Sequence, residues 1–261
     1  MKHYLVSIYV VAIISIFSYG NNCDAQKISG NNAIRLMTYN VGAFGKYSSS
    51  NIENIAHDIK ELSPDIISLN ELDSCTARSN YIFQLKDLSE SIGNMYYYFS
   101  PSIEYKGGKY GNGIAVNDKI KVISHKSFFL PKGDGSEQRS LIIIETDKFV
   151  FASTHLDHKS ENARLLQIEK INQEIIGKYD KPVFLCGDFN ALPNSTTIKT
   201  LEKNWTILSL KHTETFRRSS SCIDYIMILD NNPQYKVINS SVSIESNHSD
   251  HFPVYIDIIL Y

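Results

Sequence analysis

Lys181-Pro182-Val183-Phe184-Leu185-Cys186-Gly187-Asp188-Phe189-Asn190 is the stretch on which the reading of this chain turns. The apolar residues from Val183 to Cys186 make a short buried strand that stops at a glycine. Side chains alternate along extended backbone, so Asp188 and Asn190 point one way and Phe189 the other. A carboxylate and a carboxamide aimed together suit a hydrated divalent cation and a phosphoryl oxygen. Gly, Asp and Asn are also ordinary turn residues, and an Asx turn closing the strand accounts for the same letters. The rest of the chain has to separate the two readings.

Just upstream, Leu165, Ile168, Ile171 or Asn172, and Ile175 share one face of a helix predicted over residues 160–176, with Gly177 as its C-cap. The first half follows the same scheme. Residues 33–40 alternate and run into Val41-Gly42; Ile52, Ile55, Ala56, Ile59 and Leu62 then fall on one helical face behind Ser50-Asn51. Pro64-Asp65 stops that helix, residues 66–71 form a second buried strand, and a helix over 82–92 ends near Gly93. Residues 95–99, 113–116, 119–130, 139–145 and 149–155 read as strands, as do 222–229, 235–244 and 254–260, with a short helix over 195–201. Residues 48–50, 106–109, 133–136 and 217–221 read as loops. Two strand-rich halves, each with helices and with no Pro- or Ser-rich linker between them, predict a single domain. Its architecture is a two-sheet sandwich with helices outside.

Hydrophobic residues make up 43% of the chain and charged ones 21%, as in ordinary globular proteins. The formal net charge of −2 gives no global attraction to nucleic acid or to an anionic membrane. Lys2 and His3 precede an apolar run from Tyr4 to Tyr19, and Cys23-Asp24-Ala25-Gln26 follows. That pattern predicts a secretory signal peptide over residues 1–25, export to the periplasm or the cell exterior, and a catalytic domain over 26–261. Lipid attachment at Cys23 is the alternative. Cys75, Cys186 and Cys222 make neither a disulfide framework nor a zinc site, although Cys75 and Cys222 could pair in an oxidising compartment.

The unusual polar residues lie at strand ends. Asn40, Glu71, His155, Asp188 with Asn190, and Asp224 each close or edge an apolar strand, and Asp250-His251 directly precedes the last one. Singly, each reads as a turn or a solvated surface group. Asp224 is the exception, because a charge inside the apolar run 222–228 needs a partner, and His251 is the natural one. Brought to one rim, these carboxylates, carboxamides and histidines would hold Mg²⁺, or Mn²⁺ or Ca²⁺, rather than zinc, and would activate water. Hydrolysis of a phosphate ester fits that set.

The order of the motifs resembles the endonuclease/exonuclease/phosphatase superfamily, which includes deoxyribonucleases, abasic-site endonucleases and neutral sphingomyelinases. The resemblance rests on Met37-Thr38-Tyr39-Asn40, Asn70-Glu71-Leu72-Asp73, Tyr110-Gly111-Asn112-Gly113 and Thr154-His155-Leu156-Asp157, followed by Gly187-Asp188-Phe189-Asn190-Ala191, Ile223-Asp224-Tyr225-Ile226 and Ser249-Asp250-His251-Phe252-Pro253. It implies a four-layer α/β sandwich in which Glu71 ligates the metal with Asn40 and Asp250 nearby. Asp188 and Asn190 would then orient the attacking water and hold the scissile phosphate. By the same resemblance His251 is the general base or a phosphate contact, Asp224 fixes its tautomer, and His155 contacts phosphate or assists the leaving group. Asn70 stands where many members carry Gln, and a basic residue usual after the Gly113 strand is missing. Asn112, Arg78 and Arg139 are candidate substrate contacts, the two arginines reading equally as surface residues. The expected substrate is a phosphodiester, as in a nuclease, or else a phospholipid headgroup or other small organic phosphate. A catalytically silent binding protein on the same fold is the remaining alternative. No obligate protein partner is expected, and the chain should act as a monomer.

Overall fold

The computed structural model describes residues 32–45, 51–93, 95–231 and 233–261; the expected signal peptide and Cys23 lie outside them. Two mixed six-stranded sheets are packed face to face. The first contains β1 (Ile34–Asn40), β2 (Ile66–Ser74), β3 (Tyr96–Tyr105), β4 (Gly108–Val116), β11 (Tyr235–Val242) and β12 (Val254–Leu260), in the order β11-β12-β1-β2-β4-β3. The second contains β5 (Val122–Leu130), β6 (Arg139–Thr146), β7 (Val150–His155), β8 (Val183–Asp188), β9 (Trp205–Ile207) and β10 (Asp224–Leu229), in the order β5-β6-β7-β8-β10-β9.

Each sheet contains one parallel pair at its centre, β1 with β2 and β7 with β8. Parallel neighbours need a crossover, and helices α1 (Ile52–Leu62) and α3 (Glu161–Ile175) supply it. Asn51 caps α1 by accepting from the Asn54 amide at 2.7 Å, and Ser160 caps α3 by accepting from Ala163 at 3.1 Å. Helices α2 (Gln84–Ile92) and α4 (Thr196–Leu201) complete the outer layers.

Three apolar clusters separate the four layers. Ile55, Ile59, Leu85 and Leu88 of α1 and α2 pack on Met37, Ile67 and Leu69 of the first sheet. Leu36, Ile66, Ile142, Phe151, Phe184 and Ile226 fill the space between the sheets. Ile168, Ile171 and Ile198 of α3 and α4 cover Val150, Leu185 and Met227 on the far side. The strands at the centre are buried on both faces, which is why 183–186 and 224–229 read as continuous apolar runs.

Strands β2 and β3 run on to Ser74 and Tyr105, beyond the expected ends at residues 71 and 99. Strand β4 begins at Gly108 rather than Gly113, because residues 106–107 form a tight hairpin turn from β3. Strand β9 was not expected; its Trp205 is buried under α3, with Nε1 donating to Asn172 Oδ1 at 2.9 Å. Cys75 is exposed while Cys186 and Cys222 are buried, and all three are free, so the possible Cys75–Cys222 pair is not formed.

Candidate active site

Parallel pairing places strand C-termini side by side, and this positions the site. Register aligns Asn40 with Asn70 across β1 and β2, and His155 with Asp188 across β7 and β8. Antiparallel β10 brings Asp224 opposite Asp188. The residues at strand ends therefore meet on one rim, as ligand sites in sheets with parallel strands commonly do.

Local backbone distortion finishes the placement. A bulge in β2 sets Asn70 and Glu71 against the single residue Asn112 of β4, and Glu71 takes a left-handed φ of 62°. Asn190 is also left-handed, at 47°. Non-glycine residues in that region cost energy and concentrate at functional sites. Gly187, at φ 141°, lies so close to β7 that a Cβ would meet the Thr154 carbonyl oxygen at 1.9 Å. The Gly-Asp-x-Asn stretch thus begins with a residue that cannot be replaced without moving a strand.

Asp188 is the hub. Its Oδ1 accepts from the Asn190 amide at 2.8 Å, and its Oδ2 from Asn40 Nδ2 at 3.0 Å. His155 Nε2 and His251 Nε2 lie 3.4 and 3.6 Å from the same Oδ2. Behind His251, Nδ1 is 2.9 Å from Asp224 Oδ2, which also accepts from Thr215 Oγ1 at 2.7 Å. Burial, together with repulsion from Asp224, pushes the Asp188 carboxyl up to about 7, against the opposing pull of His251. Burial works against charging His251, but the Asp224 carboxylate prevails and raises the imidazole to about 9. Both shifts run upward, so the pair holds protons more firmly than an isolated carboxylate and imidazole would.

The chemistry of the donor set fits a hard divalent cation. Glu71, Asp188 and Asp250 line one cavity, no thiolate accompanies them, and the raised Asp188 carboxyl marks an excess of buried negative charge that a cation would relieve. Glu71 and Asp250 would hold it. Asp188, Asp224 and His251 also lie within metal-ligand reach of one another, but His251 Nδ1 is committed to Asp224, so that trio is a carboxylate–imidazole–carboxylate relay. Asn40 is placed beside both carboxylates expected to work with it. Its Oδ1 accepts from the Gly42 amide at 3.1 Å, and Nδ2 faces Glu71 Oε1 at 3.3 Å and Asp188. Nδ2 orients the two carboxylates, and Oδ1 keeps a second lone pair.

Asn112, expected as a substrate contact, is not among the residues lining the cavity. It is 1% exposed, accepts from Asn70 Nδ2 at 3.1 Å and donates to the Ser140 carbonyl at 3.3 Å, away from the cavity. Its partner Asn70 ties the two sheets together beneath the site: Nδ2 reaches the Thr154 carbonyl at 3.0 Å, and Oδ1 accepts from the Asp188 amide at 2.9 Å. Arg78 and Arg139 do line the cavity, each with an acidic neighbour, Asp73 for the first and Glu137 for the second. Arg218 Nε, 3.0 Å from Asp250 Oδ2, was not anticipated. Nor was the clasp holding the loop that carries Asp250 and His251. There Asp58 of α1 accepts from Ser246 Oγ and from His248 Nδ1 at 2.9 Å, and the Tyr39 hydroxyl lies 3.0 Å from Ser246 Oγ. Sequence offers little signal for such residues, because Ser246 and Asp58 read as surface groups.

A two-sheet sandwich with carboxylates and imidazoles gathered on one rim is the mark of one family. The chain belongs to the endonuclease/exonuclease/phosphatase family, whose pattern matches residues 37–251. It is similar to Protein angel of Drosophila melanogaster, 25% identical over 169 residues, covering 57% of this chain and 45% of that protein. The chain thus spans less than half the length of that curated relative. A mannosyl-6-phosphatase from Bacteroides thetaiotaomicron superposes with a TM-score of 0.66 at 21% identity, covering 87% of this chain and all of that one (100%). ANGEL2, a 2',3'-cyclic phosphatase crystallised with adenosine-2',3'-vanadate, superposes with a TM-score of 0.69 at 15% identity, covering 88% and 96%.

Proposed function

We propose that the chain hydrolyses phosphate esters with Mg²⁺, by in-line attack of water, and that its substrate is a small organic phosphate or phosphodiester rather than a long duplex. The observation that carries this reading is the cavity itself. It occupies about 430 Å³ and is bounded by Tyr105, Tyr110 and Phe216 as well as by Glu71, Asp188 and His251. Pockets of that size enclose a nucleotide- or sugar-sized group. A net charge of −2 favours the same choice over duplex binding, which draws on many phosphate contacts. Both structural neighbours named above are phosphatases, one of a sugar phosphate and the other of a cyclic phosphate.

A divalent ion held by Glu71 and Asp250 would polarise the phosphoryl oxygen and offset charge on the departing group. The chain's own residues supply the remainder. Asn190 Nδ2 donates to the Leu156 carbonyl at 3.0 Å, which leaves Oδ1 to orient a water beside Asp188. Asp188 borders the same space and takes the water's proton near neutral pH. His251, oriented by Asp224 and charged at that pH, donates from Nε2 to a phosphoryl oxygen. Of the two roles expected for this histidine, phosphate contact is the better supported. His155 serves the leaving oxygen. Export through residues 1–25 belongs to the same proposal and rests on their sequence alone.

Turnover of bis(4-nitrophenyl) phosphate, 4-nitrophenyl phosphate, duplex DNA and sphingomyelin, with Mg²⁺ and with EDTA, tests the reading. EDTA-sensitive activity on the small esters exceeding that on DNA is expected. EDTA-resistant activity, or a preference for duplex, would overturn it.

A further inference from the structure

The cavity has a second pole that the proposed chemistry leaves unused. Arg78 donates to Asp73 through both Nε (2.6 Å) and Nη2 (2.9 Å), and its guanidinium carbon sits 4.5 Å from the Tyr105 ring centre and 5.3 Å from that of Tyr110. One edge of the fork is thus fixed and its face stacked, while Nη1 has no partner among the described residues. Arg139, 2% exposed, uses Nη1 on Glu137 at 3.1 Å and Nη2 on His158 Nδ1 at 3.1 Å; its Nε is buried and unpartnered. His158 Nδ1 faces both Arg139 Nη2 and Ser136 Oγ at 3.1 Å, and its exposed ring lines the edge of the cavity. Between the arginines stands Tyr110. Its phenol O–H is a donor on the cavity wall.

Arg78, Arg139 and Tyr110 therefore bring N–H and O–H donors to one cavity beside the carboxylate cluster, with His158 at its edge. Leaving the buried Arg139 Nε without an acceptor is costly, and an oxyanion supplies several acceptors at once. A tyrosine-stacked arginine fixed by a carboxylate is also preorganised for a planar, bidentate contact. Resting on the phosphoesterase reading, we propose that Arg78, Tyr110, Arg139 and His158 form a subsite for a second phosphate of the substrate, distinct from the phosphate that reacts. That phosphate belongs either to a doubly phosphorylated small molecule or to the neighbouring position of a nucleotide.

Equilibrium binding separates these cases. The full chain carrying His251→Gln, in Mg²⁺, is titrated with two matched pairs: fructose 6-phosphate against fructose 1,6-bisphosphate, and adenosine 5'-monophosphate against adenosine 3',5'-bisphosphate. If that chain does not fold, His155→Gln replaces it. The second phosphate should tighten Kd about tenfold or more in at least one pair, the gain expected of one or two charge-assisted hydrogen bonds. Which pair responds identifies the source. Adding Tyr110→Phe, which keeps the ring under Arg78, or His158→Gln should shrink that ratio to about threefold or less. No preference in either pair, or a preference that persists in both variants, would overturn the subsite. A preference found in a protein whose wild type hydrolyses no phosphate ester would instead uphold the subsite and sink the phosphoesterase reading.

Discussion

Asp188 and Asp224 face one another across β8 and β10, and His251 lies within reach of both, 3.6 Å from the first through Nε2 and 2.9 Å from the second through Nδ1. The two carboxylates have different tasks because their surroundings differ. Asp224 accepts from Thr215 and His251 and is buried behind the imidazole, whereas Asp188 borders the cavity. Asp224→Asn keeps the shape but offers an N–H where His251 needs an acceptor. It should lower kcat by about 10²- to 10⁴-fold with a smaller effect on KM, in line with the loss of a positioned proton-transfer group. Steady-state kinetics on an aryl phosphate ester would check this, and unchanged kcat would remove Asp224 from the mechanism.

Asp157 predicts a pH effect away from the metal carboxylates. Its Oδ2 accepts from the Ser136 amide and hydroxyl, each at 2.7 Å, and its Oδ1 from the Lys159 and Ser160 amides, each at 2.8 Å. Burial alone would raise this carboxyl; the hydrogen bonds from Ser160, Ser136 and Lys159 overcome that and hold it well below the usual range. A depressed carboxylate contributes stability that is present above its unfolded value of about 4 and is lost as pH falls below it. Asp157→Asn should therefore cost about 1–3 kcal/mol at pH 7 and progressively less on acidification. Urea unfolding at several pH values measures the difference, and a gap that does not narrow towards low pH would refute the assignment.

Gly187→Ala tests the packing of β7 against β8. The residue combines a positive φ with a Cβ position already taken by the Thr154 carbonyl oxygen. Because the obstacle is backbone, relief requires a strand to shift. The substitution should destabilise by about 2–4 kcal/mol, within the range of overpacking and backbone strain, and should reduce kcat as well, since Asp188 is the next residue. Retention of both stability and activity would show that the sheet yields more easily than its geometry implies.

Arg35 and Asp257 form a fully buried, bidentate pair across β1 and β12, with two N–O distances of 2.8 Å, and Arg35 also stacks on Tyr255 at 4.5 Å. Asp257→Ala removes the bidentate carboxylate partner of an arginine in the core. A loss of about 3–5 kcal/mol in thermal or chemical unfolding is expected, whereas replacing both residues with apolar ones should cost much less. Equal losses from the single and double replacements would contradict that account.

Much of this architecture is legible because the central strands are buried on both faces and the helices on one. Residues 183–186 and 224–229 show as apolar runs, and α1 shows as a stripe of Ile and Leu ended at Ser63-Pro64. Strand β9 is too short to carry periodicity and exists because Trp205–Ile207 pair with β10. Arg35 and Asp257 read as surface charges in alternating strands, and only their register opposite one another makes them a buried pair.

The same division applies to the site. The sequence by itself determined the types of residue available: carboxylates, carboxamides and imidazoles at strand ends, without thiolates, in an order resembling one family. It could do so because strand ends and side-chain chemistry are local properties. Only the tertiary structure decided which atoms those residues present. Asn40 turns its nitrogen to the carboxylates because Gly42 takes its oxygen, and Asn112 turns inward because the β2 bulge sets Asn70 against it. Tyr110 and His158 enter the cavity wall with Arg78 and Arg139 for the same reason. Hydrogen-bond partners drawn from distant strands fix orientation, and no spacing along the chain encodes them.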